Sequence, residues 1–276
     1  YIEEHLDEKL DLETLSMVAG YSKYHFCRIF QAYTGEGVME HITRLRLQRA
    51  TIKISDKNKN LLNVALECGY QSQSGFIRAF EKMFLRRPRD FRKQQEKNLS
   101  IYEGLLMGSF EIVSRDDVWV VYSRALGDYD ESGDKAWVQL SEESKKACEK
   151  ILSQNPDFSL SLTFDNSEIL GVCYDNPDTT EADKIRYEAC VGVSDETAKL
   201  LNGYGMQTKT LKGGRFARLI HKGSNENIKE VWLGFYKRLC DEGYTIRDEP
   251  PFEKYVNNPA ETPVDELLTE IYIGVE

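Results

Sequence analysis

Long hydrophobic runs are missing from this sequence of 276 residues, which excludes one large class of proteins at once. No uninterrupted apolar run approaches the roughly 18–20 residues that a membrane-spanning helix requires. The first ten residues are acidic and amphipathic, so they do not resemble a signal peptide, and a first residue other than Met suggests a trimmed N-terminus. With 41% hydrophobic and 30% charged residues, the composition is typical of a globular cytoplasmic protein with two domains.

Clusters of residues that carry catalysis or bind metals are also missing. The six cysteines are scattered without C-x-x-C spacing, and the four histidines show no metal-ligand spacing. The Gly213-Gly214 pair lacks the flanking residues of a phosphate-binding loop, and no Ser/His/Asp order can be identified. We therefore predict no cofactor, no metal and no catalytic residue.

Basic residues are outnumbered overall, with a formal net charge of −10, yet the two parts of the chain differ in sign. Residues 1–98 hold 17 Lys and Arg against 13 Asp and Glu, and six of those acids lie in the first thirteen residues. Residues 99–276 hold 19 Lys and Arg against 33 Asp and Glu. A basic part joined to an acidic part predicts a DNA-binding domain joined to a domain of another kind.

Two segments of the basic part predict helix-turn-helix motifs. AGYSKYHFCRIF (19–30) and CGYQSQSGFIRAF (68–80) share a Gly-Tyr turn after a short helix, a capping serine, and Phe and Arg at corresponding places. Ser22 and Ser72 are the expected caps of the two second helices. A long helix over 38–54 joins the motifs, an arrangement that suits two successive major-groove faces about 34 Å apart.

GYSKYHFCRIFQAYTGEGVMEHITRLRLQRA and ALECGYQSQSGFIRAFEKMFLRRPRDFRK carry this pattern across nearly all of residues 1–93. They resemble the AraC/XylS family of bacterial transcription regulators. Two positions depart from the family: Ser16 stands where Ala is usual, and Leu85 stands where Gly is usual. The first change is small-for-small, and the second is expected to alter only the turn before Pro88.

The resemblance implies that exposed residues of the two recognition helices meet the bases of double-stranded DNA: Lys23, Tyr24, Cys27, Arg28, Gln73, Ser74, Ile77 and Arg78. Arg28 and Arg78 suit bidentate pairing with guanine, and Gln73 suits adenine. Arg46 is expected to contact phosphates. The alternative is that these residues form the solvated face of a helical bundle.

The fold class expected is an all-α double helix-turn-helix domain at 1–98, a linker at 99–109, and an α+β domain at 110–276. In the last, strands alternate with long helices. Hairpins are predicted over 110–124 and 206–221, helices over 135–152 and 227–240, and further strands over 160–164, 169–174, 252–255 and 267–275.

A strand-strand-helix-strand-strand unit thus occurs twice, with Trp137 and Trp232 at matching places and an extra strand over 185–193 bridging the halves. The expected sheet carries helices on one face and a cleft on the other. In the last strand, alternation places Ile271, Ile273 and Val275 on the helix side, and Glu270 on the cleft side. From alternation alone, Glu270 is either a ligand handle or an exposed acid on a solvated face.

KIRYEACVGV, GGRFARLIHKG and FEKYVNNP…LLTEIYIGV are the strongest motifs of the acidic part. They resemble the GyrI-like small-molecule-binding domain, a duplicated strand-helix-strand-strand unit, over about residues 110–276. The resemblance implies a cleft lined by a central Glu and by aromatic rings; by position these are Glu270, Tyr255, Trp137, Tyr174, Tyr187 and Trp232. Such a lining suits a lipophilic or cationic small molecule through charge pairing and cation–π attraction.

Together these features predict a bacterial regulator of transcription whose partners are promoter DNA, a small-molecule effector and RNA polymerase. Two alternatives belong to other classes. Some GyrI-like domains are hydrolases that use the same Glu with a Tyr partner as acid and base. The acidic domain could also dock another protein while the cleft stays empty.

Overall fold

The computed structural model describes residues 1–55, 59–93, 109–156, 160, 167–177, 180–225 and 228–276. The chain divides into two compact units, Tyr1–Ser100 and Ile101–Glu276. Of the predicted linker, 99–109, and the predicted strand 160–164, almost every residue lies outside the described ranges. In the part of the chain that is described, no helix has the length and apolar character needed to cross a bilayer.

The first unit is helical, as predicted. After a 3-10 turn at Glu3–His5, its helices are α1 (Leu12–Val18), α2 (Lys23–Thr34), α3 (Val38–Ser55), α4 (Leu61–Glu67), α5 (Gln73–Phe84) and α6 (residues 88–93). The predicted caps are confirmed, since the hydroxyl groups of Ser22 and Ser72 accept hydrogen bonds from the amides of His25 and Gly75.

Two hydrophobic clusters form the interior of this unit, and α3 contributes to both. Leu45 belongs to a cluster that includes Phe26 and the N-terminal Leu6, whereas Leu47 belongs to a cluster that includes Phe76 and Phe80 of α5. The long connecting helix therefore turns one face to each motif, and the change of face falls between Leu45 and Leu47.

The second unit contains one eight-stranded antiparallel sheet within the described residues. Its elements are β1 (Glu111–Arg115), β2 (Val118–Leu126), α7 (Tyr129–Gln154), β3 (Ile169–Cys173), β4 (Arg186–Val193), α8 (Asp195–Gly203), β5 (Gln207–Leu211), β6 (Gly214–Lys222), α9 (Ile228–Asp241), β7 (Phe252–Tyr255) and β8 (Leu268–Gly274). The strand order is β1-β6-β8-β7-β3-β4-β2-β5.

Both predicted hairpins are wrong in their pairing, although their strands exist. β1 pairs with β6 and β2 pairs with β5, so each first strand is exchanged between the halves. The two turns bind each other, because the Asp117 carboxylate accepts hydrogen bonds from the Gly213 amide at 2.8 Å and from the Lys212 ammonium at 3.0 Å. A side chain at Gly213 would place its Cβ 2.3 Å from the carbonyl oxygen of Arg115, so only glycine permits this crossing.

The sheet order has an internal two-fold symmetry that explains the predicted repeat. It relates β3 to β7, β4 to β8, β2 to β6 and β5 to β1. The strand predicted as an extra bridge is therefore β4, the counterpart of β8 in the first half. α8, which joins the halves, was not predicted from the sequence.

The two faces of the sheet are covered differently. α7 packs on one half through Ala136 and Leu140, and α9 packs on the other half through Phe235 and Leu239; we call this side the helix face. Ile271, Ile273 and Val275 pack on α9, as predicted. The opposite face buries a smaller cluster that consists of Val120, Leu170, Val172, Cys190, Phe216, Phe252 and Tyr272.

Candidate functional site

The recognition helices α2 and α5 present most of the residues predicted to meet DNA. Both helices have twelve residues, and each places an Arg six residues after its capping serine. The exposed members of the predicted set are Lys23, Tyr24, Arg28, Ser74 and Arg78, while Gln73 is half-buried.

Two predicted contact residues face partly inward. Cys27 and Ile77 are half-buried and pack against the hydrophobic clusters of their own motifs, so less of each side chain is available to DNA. On α2, the Arg28 guanidinium lies 4.8 Å from the centre of the Tyr24 ring. The ammonium of Lys23 forms an exposed ion pair with Glu13 at 3.1 Å, a contact weak enough for a phosphate to replace.

Arg46 does not have the free guanidinium that the phosphate-contact prediction requires. Its Nε donates to the carbonyl oxygen of Leu6 at 2.8 Å, and its Nη2 donates to that of Glu8 at 2.6 Å. Burial lowers the pKa of this guanidinium. The side chain is used inside the protein because α3 turns it towards the N-terminal segment.

On the helix face of the second unit, four of the predicted effector residues come together in one hydrogen-bonded chain. Trp137 of α7 donates its Nε1–H to the Tyr187 hydroxyl at 3.2 Å, and the hydroxyls of Tyr187 and Tyr255 lie 2.9 Å apart. The Tyr255 hydroxyl donates to Glu253 at 2.7 Å, and Trp232 of α9 donates to the same carboxylate at 2.8 Å. The chain of side chains thus connects the two long helices across the centre of the sheet.

Glu253 is a buried carboxylate, 6% exposed, and within the described residues no Lys or Arg forms an ion pair with it; the basic group that acts on it is His221. Burial raises its pKa, while the hydrogen bonds from Trp232 and Tyr255 and the charge of His221 act in the opposite direction. Burial also raises the pKa values of Tyr187 and Tyr255 well above the usual range, so both hydroxyls stay protonated donors.

Gly171 completes this cluster and lies on the internal symmetry axis. It is the register partner of Glu253 in the β3–β7 pair. A Cβ there would lie 2.4 Å from the Tyr187 hydroxyl oxygen and 2.6 Å from that of Tyr255. The missing side chain at this position leaves the space that the two hydroxyls occupy.

The other two predicted effector residues, Glu270 and Tyr174, lie on the opposite face. Glu270 forms an ion pair with Arg218 at 3.2 Å and accepts a hydrogen bond from the Tyr272 hydroxyl at 2.7 Å. Tyr174 donates to Glu188, a fully buried carboxylate that is paired with Arg124. The six predicted residues therefore do not share one cleft, because strand alternation separates Glu270 from Tyr255 and its neighbours.

Sequence reasoning missed Glu253, although a signal for it was present. The strand Phe252–Tyr255 was predicted with the correct bounds, and alternation within it places Glu253 and Tyr255 on one face. What the sequence did not provide was the register that brings this strand to the centre of the sheet. Among the described residues, no group of three His, Cys, Asp or Glu side chains could hold a metal ion.

Two family models match the chain and together account for both units. Residues 109–276 match the GyrI-like small molecule binding domain, and residues 15–94 match a helix-turn-helix domain.

Curated relatives match part of this chain. The transcriptional regulator Rob of Salmonella typhimurium is 31% identical over 128 residues, which are 46% of this chain and 44% of that protein. The regulatory protein SoxS of the same organism is 33% identical over 92 residues, which are 33% of this chain and 86% of that protein. The chain thus spans less than half the length of Rob.

A solved structure of a hydrolase from Listeria innocua is 13% identical, with a TM-score of 0.44, and covers 66% of this chain and 98% of that one.

Proposed function

Because the chain belongs to the family of GyrI-like small molecule binding domains and carries an AraC-type helix-turn-helix domain, we propose that it is a DNA-binding regulator of transcription that responds to a small molecule. One combination of features carries the proposal. The first unit has two matched recognition helices with exposed Arg residues, and the second unit has a buried carboxylate that forms no ion pair with Lys or Arg among the described residues. Residues 14–98 hold 16 Lys and Arg against 7 Asp and Glu, which favours the phosphate backbone as a partner. A contact with RNA polymerase stays a prediction.

The DNA part of the proposal is tested by selecting duplexes from a random library with the full chain. We expect a two-part site with half-sites about one helical turn apart. Arg28→Ala and Arg78→Ala occupy corresponding places, so each variant should relax the base preference of a different half-site and cost about 1–3 kcal/mol of binding. Selection of no sequence, or unchanged preferences in both variants, would contradict the proposal.

The ligand part of the proposal rests on Glu253. Glu188 and Glu270 each have an Arg partner, whereas Glu253 accepts hydrogen bonds from one indole N–H, of Trp232, and from one hydroxyl, of Tyr255. A buried carboxylate that lacks a cation is costly, and a bound cation would remove that cost. Trp137, Trp232 and Tyr255 would add cation–π attraction on desolvated rings. We propose a lipophilic cation as the effector.

Calorimetric titration of the full chain with tetraphenylphosphonium tests this assignment. Glu253→Gln keeps the shape of the side chain and removes its charge, so affinity should fall at least about tenfold. Glu270→Gln, on the opposite face, is the matched control and should bind like the unaltered chain. A loss in Glu270→Gln with none in Glu253→Gln would return the ligand to the face predicted from the sequence.

A hydrolase acting on reactive small molecules is the second candidate, and the hydrogen bond from Tyr255 to Glu253 favours it. A carboxyl group with a raised pKa beside a protonated hydroxyl is a workable acid–base pair. Incubation with a panel of epoxides and activated esters separates the candidates. Turnover that disappears in both Glu253→Gln and Tyr255→Phe would establish the enzyme, and binding without turnover favours the sensor.

A further inference from the structure

Arg46 joins three parts of the helical unit that are far apart in the sequence. It projects from α3 and holds the backbone of the N-terminal segment by two hydrogen bonds, 40 and 38 residues away, to Leu6 and Glu8. The same carbonyl oxygen of Leu6 lies against Gly69, in the turn that precedes recognition helix α5. The N-terminal segment that leads into the first motif is thereby clamped onto the turn of the second motif.

No residue larger than glycine fits at position 69. A Cβ at that position would lie 2.4 Å from the Leu6 carbonyl oxygen and 2.7 Å from Cζ of Arg46. At Gly69, the backbone of the second motif therefore lies close both to the backbone of the N-terminal segment and to the guanidinium of Arg46.

The location of Arg46 makes this contact more than local packing. The cluster of the first motif ends on α3 at Leu45, and the cluster of the second motif begins at Leu47. Arg46 lies at the change of face, between the last α3 residue of one cluster and the first of the other, so its hydrogen bonds act where the two motifs join. α3 alone would leave that angle to the bending of one helix.

We infer that Arg46 is a positioning residue that fixes the distance and angle between the two recognition helices, and so sets which spacing of half-sites the protein accepts. The inference rests on the proposed DNA-binding function. Once the first recognition helix has bound its half-site, a fixed second helix already lies near its own groove. This raises the effective concentration of the second contact, so both half-sites are bound together. A loosened clamp weakens that coupling and leaves each single contact intact.

Arg92 provides a matched control from the same unit. Its Nε donates to the carbonyl oxygen of Ile54 at 2.6 Å and its Nη2 donates to that of Lys59 at 3.0 Å, the same two-carbonyl geometry. Its partners lie at the end of α3 and just before α4, so it fastens elements of the second motif to one another. Loss of Arg92 removes an equivalent set of hydrogen bonds and leaves the connection between the motifs in place.

The first measurement needs no DNA. Spin labels are attached through keto amino acids at Ala32 and Lys82, exposed corresponding positions on α2 and α5, and their distance distribution is measured in the full chain by pulsed electron resonance. Arg46→Met should broaden or shift the distribution, and Arg92→Met should leave it unchanged. Arg46→Lys, which keeps the charge but not the two-carbonyl fork, serves if the Met variant fails to fold. An unchanged distribution in a folded Arg46 variant would overturn the inference.

The second measurement uses a selected two-part duplex and the same duplex with one half-site scrambled. Arg46→Met should lose at least about tenfold in affinity on the first and less than about twofold on the second. Equal losses on both, with a salt slope lower by about one phosphate, would make Arg46 a phosphate contact and overturn the inference. If the unaltered chain selects no sequence, the proposed function fails, and the label distances still decide whether Arg46 positions the helices.

Discussion

The two helix-turn-helix motifs have recognition helices of the same length, but each recognition helix packs against the following helix through different side chains. At corresponding places, 50 residues apart, Phe30 meets His41 and Phe80 meets Phe91. In the first motif, His41 belongs to a buried polar network with Glu36 and Arg44. In the second, Phe91 belongs to a wholly aromatic cluster with Phe80 and Phe84.

The position that corresponds to Glu36 shows the same contrast. Glu36 is 3% exposed and accepts from both His41 and Arg44, whereas its counterpart, Arg86, lies on the surface. The capping serines, the first Phe of each helix and the exposed Arg are common to both motifs. The two motifs thus share a few positions of their second helices, and the interior behind those helices differs.

We expect the largest loss of stability from a substitution in the aromatic cluster of the second motif. Phe80→Ala removes a side chain that is fully buried among three other rings, and should cost about 3–5 kcal/mol of local stability. Phe30→Ala, at the corresponding half-buried position, should cost less, because its ring meets one Phe and a histidine. Hydrogen exchange of peptides from each motif, read by mass spectrometry, measures both. Equal costs would mean that the two interiors do not differ in the way their contacts indicate.

The buried polar network should make the first motif sensitive to acid. Burial alone would raise the pKa of Glu36, but the hydrogen bonds and charges of His41 and Arg44 outweigh it and lower the pKa to about 2, from an ordinary value of 4.5. A pKa lowered by folding stabilises the fold while the carboxylate is ionised. That contribution, on the order of 3 kcal/mol, is complete above about pH 5 and is lost as the pH falls towards 2.

Exchange rates corrected for their intrinsic pH dependence test this in the first motif. Glu36→Gln should lower its stability at pH 7 and flatten its dependence on pH between 5 and 2. The peptides of α5 should keep their own profile in the variant. A slope in the first motif that survives Glu36→Gln would assign the acid sensitivity to another group.

The helices of the first unit could be predicted because their signals are local. Capping serines, glycine stops and apolar spacing all act within a few residues, so α2 begins directly after its predicted cap and the bounds of α3 agree with the prediction to within one residue. Even there, the use of Arg46 could not be predicted, since its acceptors lie 38 and 40 residues away in the chain. In the sequence, a basic residue on a predicted helix gives the same signal whether its side chain contacts a phosphate or a buried carbonyl oxygen.

For the sheet, signals within a few residues do not predict which strands pair. Alternation predicts which residues of β8 share a face, and Ile271 and Ile273 lie as expected. It does not identify the partner strand, which is why two strand exchanges were predicted as hairpins. The same gap directed the effector prediction to Glu270 on one face, while Tyr255 and Trp137 gathered around Glu253 on the other.

The smallest expected effect concerns the turn that ends each recognition helix, which the sequence already marks. Gly35 ends α2 and Leu85 ends α5, and both adopt the left-handed conformation, with φ of 75° and 53°. A leucine pays a steric cost in that conformation that a glycine does not, and Leu85 is 89% exposed, so replacing it sacrifices little packing. Leu85→Gly should therefore stabilise the second motif by about 1 kcal/mol, and Gly35→Leu should destabilise the first by a similar amount. Hydrogen exchange of the flanking peptides measures both changes. If Leu85→Gly destabilises the second motif, the exposed leucine must contribute contacts that outweigh its strained backbone.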